Sequence, residues 1–271
     1  PKLLQVFDPE LSVGCLRGYA QLPLLEAFDV ISANSKASAQ KLLSNLKKSS
    51  RWRLEDIQII PPRLLPTPSP VSIVTAAEGQ PTRILYVGRI KSHKKIEHLL
   101  EFFAEYLKLD PSAELWIVGG GADKPYWDYL QWMETRQLVL PEGKVHWVGS
   151  VGDEELAERY ASASAYVSMS EDEGFCLPIF EAMLAGLPVL AYGLPAVREV
   201  MRDTGIFFQE KDFSHLTSVL FNVLSDRARI SEIVEKQRER ASELAKAMDG
   251  RLLLTLLRPS YEQQVADQQR V

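Results

Sequence analysis

With 271 residues, 46% of them apolar and 25% charged, the chain has a globular composition and room for one large domain or two small ones. A net charge of −5 argues against general nucleic-acid binding, and two cysteines are too few for a disulfide framework or a zinc site. No apolar run reaches the length of a membrane span, and the first residues lack the basic-then-apolar pattern of a signal peptide, so a reducing cytoplasm is expected. The start at Pro1, without Met, suggests a trimmed or partial chain.

In chain order, the pattern first predicts a helix over about 17–28, a short strand over 29–33, a helix capped by Ser35 and a strand over 57–60. That is too little to close a doubly wound sheet. Residues 61 to 81 then hold six of the sixteen prolines with little periodicity, which reads as a linker. Beyond it, apolar runs alternate with amphipathic segments. Strands are predicted at 84–87, 115–118, 145–148, 165–169, 189–192 and 206–208. Helices are predicted at about 95–108, 125–137, from a capping-box-like Asp153 onward, at 177–186 and at 196–203, with 212–270 mostly helical. The charged stretch from Arg227 to Leu244 reads as a solvated helix face.

This alternation implies parallel βαβ units and therefore an α/β fold built on a doubly wound parallel sheet, with a partial second domain before it. The expected boundaries are 1–60 for the closing segment of a first domain, 61–82 for the linker, 83–246 for the Rossmann-like domain and 247–271 for a terminal helix. Sheets of this kind bind ligands at the carboxyl ends of their strands. Three loops qualify, those after Val87, Val148 and Met169.

The third of these loops is the most informative. Glu173 and Glu181 stand with seven residues between them, the first on a turn and the second inside a helix that is otherwise apolar on every face. A carboxylate in such a helix needs a partner. Pro178 suits the first turn and Gly186 the stop, and free amides near Cys176 and Leu177 offer a phosphate site. The bland alternative is a capped core helix whose glutamate has a structural partner. In the first loop, Gly88 permits close approach to the backbone, and Arg89 and Lys94 can turn onto one anion. A basic surface loop is the alternative there.

Together these residues carry a resemblance. Val87-Gly88-Arg89 with Lys94, then the run from Ser170 to Pro178 with Glu181-Ala182-Met183 and Gly186-Leu187-Pro188-Val189, resembles the donor-binding domain of retaining glycosyltransferases of family 4, which have the GT-B fold. The resemblance covers roughly 83–225. It implies a substrate that is a nucleoside-diphosphate sugar, with no cofactor and no metal. Arg89 and Lys94 would hold the diphosphate and stabilise the departing charge. Glu173 would accept from the transferred sugar, in an electrostatic and positioning role. Gly174, Phe175, Cys176 and Leu177 would present amides, Glu181 would accept from the ribose hydroxyls, and Val148, Gly149 and Val151 would edge the base.

Two departures stand out. Lys94-Lys95 replaces the usual Lys-Gly, so Lys95 is a rival phosphate ligand, and Gly-Phe-Cys replaces Gly-Phe-Gly. Cys176 lacks a Cys–His pattern and reads as a packed thiol, and Glu171-Asp172-Glu173 makes a poor metal cage. Gly119-Gly120-Gly121 follows a strand without completing a dinucleotide fingerprint. His93 lies beside the basic loop, while His98, His146 and His215 lack ligand spacing. Trp116, Trp127, Trp132 and Trp147 are expected against the sheet, with Tyr126, Tyr129, Trp127 and Trp132 as a rival sugar or partner surface.

The resemblance further implies that the acceptor-binding loops lie outside this chain, which would then be inactive or nearly so alone. The acceptor would be a glycan, a lipid-linked sugar or a small molecule. Nucleic acid is not an expected partner, and peripheral membrane contact would run through the N-terminal domain. A GT-B sugar-nucleotide epimerase and a non-catalytic nucleotide-sugar-binding module are the alternatives.

Overall fold

The computed structural model describes residues 3–6, 30–44, 50–62 and 80–248. The helix expected at 17–28, most of the proline-rich segment and the helix expected from 251 lie outside the described residues. The chain divides into two compact units, one of Pro1–Thr67, Glu173–Cys176 and Glu243–Val271, the other of Pro68–Asp172 and Leu177–Ser242.

In the first unit, β1 (Leu3–Val6), β2 (Val30–Ala33) and β3 (Ile57–Ile59) form a parallel sheet in that order. β1 was not foreseen, because a four-residue run carries no period that separates strand from helix. Helix α1 (Lys36–Ser44) covers this sheet, and Ile31, Ala33, Ala39, Leu42, Trp52 and Ile57 form the core. Ser35 caps α1 as expected: its hydroxyl accepts from the Ser38 amide at 3.0 Å.

The second unit is a six-stranded parallel sheet in the order β6-β5-β4-β7-β8-β9. Its strands are β4 (Arg83–Val87), β5 (Glu114–Val118), β6 (Val145–Gly149), β7 (Ala165–Ser168), β8 (Val189–Tyr192) and β9 (Ile206–Phe208). The helices between them are α2 (Ile96–Tyr106), α3 (Lys124–Trp132), α4 (Asp153–Ser162), α5 (Leu177–Ala185) and α6 (Pro195–Met201), followed by α7 (Phe213–Leu224) and α8 (Arg227–Ala247). The central strands are deeply buried: Ile84 and Leu85 on β4 and Ala165 and Val167 on β7 are all 0% exposed. Burial on both faces explains why these strands read as continuous apolar runs. No helix among the described residues is long and apolar enough to cross a membrane.

Several local expectations change. Gly152, not Asp153, is the N-cap of α4, and Asp153, Glu154 and Glu155 fill its first turn, where the helix dipole favours acids. The helix after Asp123 stops as α-helix at Trp132 and widens into a π-turn over Met133–Gln137. Helix α8 is not wholly a solvated face. Arg240 is 9% exposed, and its guanidinium donates to the Val200 and Glu199 carbonyls at 2.9 Å each, closing the end of α6. Trp127 and Trp147 pack edge to face at 4.9 Å, and Trp116 lies under the Arg83 and Arg159 guanidinium groups. Trp132, by contrast, is 48% exposed and does not pack on the sheet.

Candidate functional site

Strand order reverses between β4 and β7. At such a reversal the connections leave toward opposite faces and open a crevice at the carboxyl ends of the two strands. The loops that leave there are Gly88–Lys95 and Met169–Asp172, two of the three singled out in the sequence. They are tied together. The Glu171 amide donates to the His93 carbonyl at 2.8 Å, and the Lys94 ammonium reaches the Asp172 carbonyl at 3.4 Å. Beneath them, the Tyr166 hydroxyl donates to the Val87 carbonyl at 3.2 Å.

The third loop joins from the β6 side through backbone alone. Gly88 N–H donates to Val118 O at 2.9 Å, Ile90 N–H to Gly120 O at 2.8 Å and Gly119 N–H to Gly149 O at 2.8 Å. The ends of β4, β5 and β6 are thereby laced into one floor. Gly119 has φ +126°, and a Cβ there would overlap the Gly88 carbonyl, so only glycine lets the two loops meet. Val148 is the residue skipped where the β5–β6 register shifts, since Ile117 pairs with Trp147 and Val118 with Gly149. Val151, half-buried, lies in the turn before α4.

The cations of the first loop differ in their surroundings. Arg89 is exposed, and its carbonyl accepts from the Tyr86 hydroxyl at 3.3 Å. Lys94 sits in a 3-10 turn over Ser92–Lys94. Lys95 adopts a left-handed backbone, φ 54°, at the start of α2, where the family's usual glycine fits most easily. Its ammonium faces Glu171 at 3.5 Å and Glu97 at 3.7 Å, so this rival to Lys94 already stands between two carboxylates.

Lys211, which the sequence did not single out, completes the cluster. Its ammonium donates to Glu171 Oε1 at 2.6 Å, His98 Nδ1 at 2.8 Å and Met169 O at 3.3 Å. Three protons meet three acceptors, which assigns the neutral His98 proton to Nε2. The hydrogen bond from Lys211 holds the Glu171 carboxyl below its usual range. Burial, and then the Lys211 charge, push His98 down.

Glu181 projects from α5, whose Ile179, Phe180, Ala182 and Met183 are buried. Its Oε2 accepts from the Tyr160 hydroxyl of α4 at 2.8 Å. Its Oε1 has no hydrogen-bond partner among the described residues. Burial pushes its carboxyl upward, the Tyr160 bond opposes that, and the Asp153 charge adds to it.

Glu173, Gly174, Phe175 and Cys176 belong to the first unit, although the chain joins them directly to Asp172 and Leu177. Glu173 and Gly174 are half-buried, and Phe175 and Cys176 are each 6% exposed. The Gly174 carbonyl accepts from the Ser35 hydroxyl at 2.5 Å and lies 3.1 Å from that of Ser38. Cys176 has φ 60°, the left-handed conformation, which is the physical reason for the family's glycine at this place. Leu177 opens α5. Among the described residues, no three His, Cys, Asp or Glu side chains gather closely enough to hold a metal ion.

A parallel sheet in this order, with ligand loops at its reversal, is shared by many nucleotide-binding proteins. A narrower match decides among them: residues 73–248 fit the family described as glycosyl transferases group 1. The chain belongs to this glycosyltransferase family. It is 31% identical to O-antigen chain mannosyltransferase B of Escherichia coli over 142 residues, 52% of this chain and 36% of that protein. It is 28% identical to sulfoquinovosyl transferase SQD2 of Arabidopsis thaliana over 242 residues, 85% of this chain and 41% of that protein. The chain therefore spans less than half the length of these relatives. Among solved structures, Anabaena Alr3699/HepE in complex with UDP and glucose matches with a TM-score of 0.74 at 19% identity, over 94% of this chain and 71% of that one. Sucrose-phosphate synthase from Thermosynechococcus elongatus matches with a TM-score of 0.71 at 21% identity, over 98% and 68%. At these identities the likeness establishes the fold, that of the GT-B glycosyltransferases.

The Tyr160–Glu181 and Lys211–Glu171 bonds and the approach of Gly119 to Gly88 were not legible in this glycosyltransferase sequence. Tyr160 fits the apolar period of α4 and lies 21 positions from Glu181. Lys211 lies 40 positions from Glu171. Only the Gly-Gly-Gly run carried a signal, a strand followed at once by glycines.

Proposed function

We propose that this chain is the donor-binding part of a retaining glycosyltransferase that uses a nucleoside-diphosphate sugar. The observation that supports the reading is the reversal of strand order between β4 and β7, where Lys94 bonds the Asp172 carbonyl across the two loops and the second loop leads to α5, which carries Glu181. A departing nucleoside diphosphate gains negative charge on its phosphate oxygen as the sugar bond breaks. Arg89 and Lys94 supply the compensating charge, and amides from Gly174 to Leu177 add fixed donors. Glu181 takes the ribose hydroxyls, and the Val148, Gly149 and Val151 turn borders the base. Glu173 accepts from hydroxyls of the transferred sugar and favours positive charge developing at its anomeric carbon. It is not a covalent nucleophile in this reading: the acceptor attacks from the face the diphosphate leaves, and the α configuration is kept. Metal and cofactor play no part, and the setting is cytoplasmic.

Names among the relatives point to several donors, mannosyl and sulfoquinovosyl in two proteins and UDP with glucose in a third. The acceptor of the longer protein, a glycan, a lipid-linked sugar or a small molecule, would be met by loops outside this chain. The test is thermal unfolding with UDP, GDP, ADP and their sugars, beside Arg89→Ala and Glu181→Ala. A nucleotide at about a hundred times its dissociation constant adds about 2.7 kcal/mol to stability. A shift with one base, lost in both variants, is the expected result. No shift with any nucleotide at millimolar concentration defeats the reading. An epimerase would instead convert the free sugar nucleotide without acceptor, and a binding module would bind it and never transfer.

A further inference from the structure

We infer that Tyr160 is a positioning residue for nucleotide recognition, turning Glu181 into a reader of ribose over deoxyribose. The inference rests on the donor-pocket reading above and goes beyond it by assigning the specificity to a hydrogen-bonded pair.

Tyr160 is 5% exposed on α4, so its ring is fixed by packing before its hydroxyl does anything. That hydroxyl has one proton, and Glu181 Oε2 at 2.8 Å and Pro178 O at 3.2 Å both lie within its reach. The shorter contact, to a carboxylate, takes the proton. Two consequences follow. The Glu181 side chain is held in one rotamer, although a glutamate on a helix is otherwise mobile about three torsions. Its oxygens also become unequal. Oε2 keeps one lone pair, and Oε1 keeps both, with no partner among the described residues. A carboxylate so held accepts from a pair of adjacent hydroxyls without first losing torsional freedom, and removal of one hydroxyl leaves an acceptor unmatched.

The arrangement also sets which proton state binds. Ribose hydroxyls donate, so they need the ionised carboxylate. Burial opposes ionisation and the Tyr160 proton supports it. The Asp153 charge also acts on Glu181, and it opposes ionisation. Without the phenol, nucleotide affinity should fall at a higher pH as the solution is acidified.

The experiment measures dissociation constants of UDP and dUDP, and of GDP and dGDP, for the wild-type chain and Tyr160→Phe across acid to neutral pH, with melting curves for each protein. In the wild type, a hydrogen bond to a charged group is worth roughly 1.5–3 kcal/mol, a ribose preference of about 10- to 100-fold. In Tyr160→Phe the deoxynucleotide should bind within about twofold of wild type while the ribonucleotide weakens, so the preference falls at least about threefold. The acid limb of the ribonucleotide profile should move to higher pH. Equal weakening of both nucleotides would make Tyr160 a packing residue and overturn the inference. An undiminished preference would do the same, with the donor pocket left standing. A wild-type chain that binds neither pair, or binds both members equally, defeats the reading of Glu181 itself. Should Tyr160→Phe melt below the assay temperature, 3-fluorotyrosine at position 160 keeps the ring and strengthens the donor. The acid limb must then move to lower pH, and no movement overturns the inference.

Discussion

At the scale of single residues, the proposed role of Glu181 would trade stability for recognition. Its carboxyl is raised by burial, so its contribution to stability is full in acid and is lost as pH rises through the folded-state value. Folding therefore disfavours the ionised form of this carboxyl. Glu181→Gln keeps an acceptor for Tyr160 and removes the charge. It should melt at or above the wild-type temperature near pH 7, with the gap closing as pH falls, while the nucleotide-induced shift disappears. Melting curves at two pH values with and without nucleotide check this. Lys211 behaves in the opposite way. It satisfies Glu171, His98 and the Met169 carbonyl at once, and Lys211→Met leaves all three short of a donor. A loss of about 1–3 kcal/mol is expected in urea unfolding. His98 should then titrate at higher pH, because one of the two main causes holding it down is gone, and imidazole proton resonances would report it. An unchanged His98 titration would mean that the Lys211 charge does not help set its protonation.

Among the elements, the loops at the strand ends were readable and their joining was not. The apolar runs at Ile84–Val87 and Leu115–Val118 matched strands Arg83–Val87 and Glu114–Val118 closely, because buried parallel strands are written as unbroken apolar runs. The turns after them read only as glycine and charge. That Gly119 presses against Gly88, and that its amide reaches Gly149, depends on the order of strands in the sheet, which no local pattern specifies. Gly119→Ala tests the floor. The added methyl overlaps a carbonyl in a conformation that L residues rarely adopt, so a destabilisation of about 2 kcal/mol or more is expected in urea unfolding. Nucleotide affinity should fall with it, since the Gly88 loop must retreat. A variant of wild-type stability would show that the two turns separate at little cost.

For the whole molecule, charge and its placement diverge. The chain carries a net −5, yet the loop proposed to meet a diphosphate contains Arg89, Lys91, Lys94 and Lys95. Attraction from a local cluster on a negative protein is short-ranged and screened by salt. UDP or GDP binding should therefore weaken several-fold between about 0.05 and 0.5 M salt, over which the Debye length shrinks toward a few ångströms. Binding of the nucleoside alone should stay level. Calorimetric titrations of both would separate these outcomes. Equal salt dependence for both ligands would remove the phosphates from the basic loop.

The sequence by itself determined the alternation of strand and helix, the parallel sheet that such alternation requires, and the types of side chain at each strand end. These follow from periodicity and from glycine and proline chemistry, which act over a few residues. The glycosyltransferase resemblance was likewise legible, because its motif keeps order and spacing along the chain. The tertiary structure alone decided which side chains share a partner. Tyr160 meets Glu181, Lys211 meets Glu171, and Lys95 reaches Glu171 across the loops. Such pairs join positions distant in the chain through packing of α4 on α5 or through crossing of the strand order. A pairwise contact leaves no period in the sequence, so only the folded sheet reveals it.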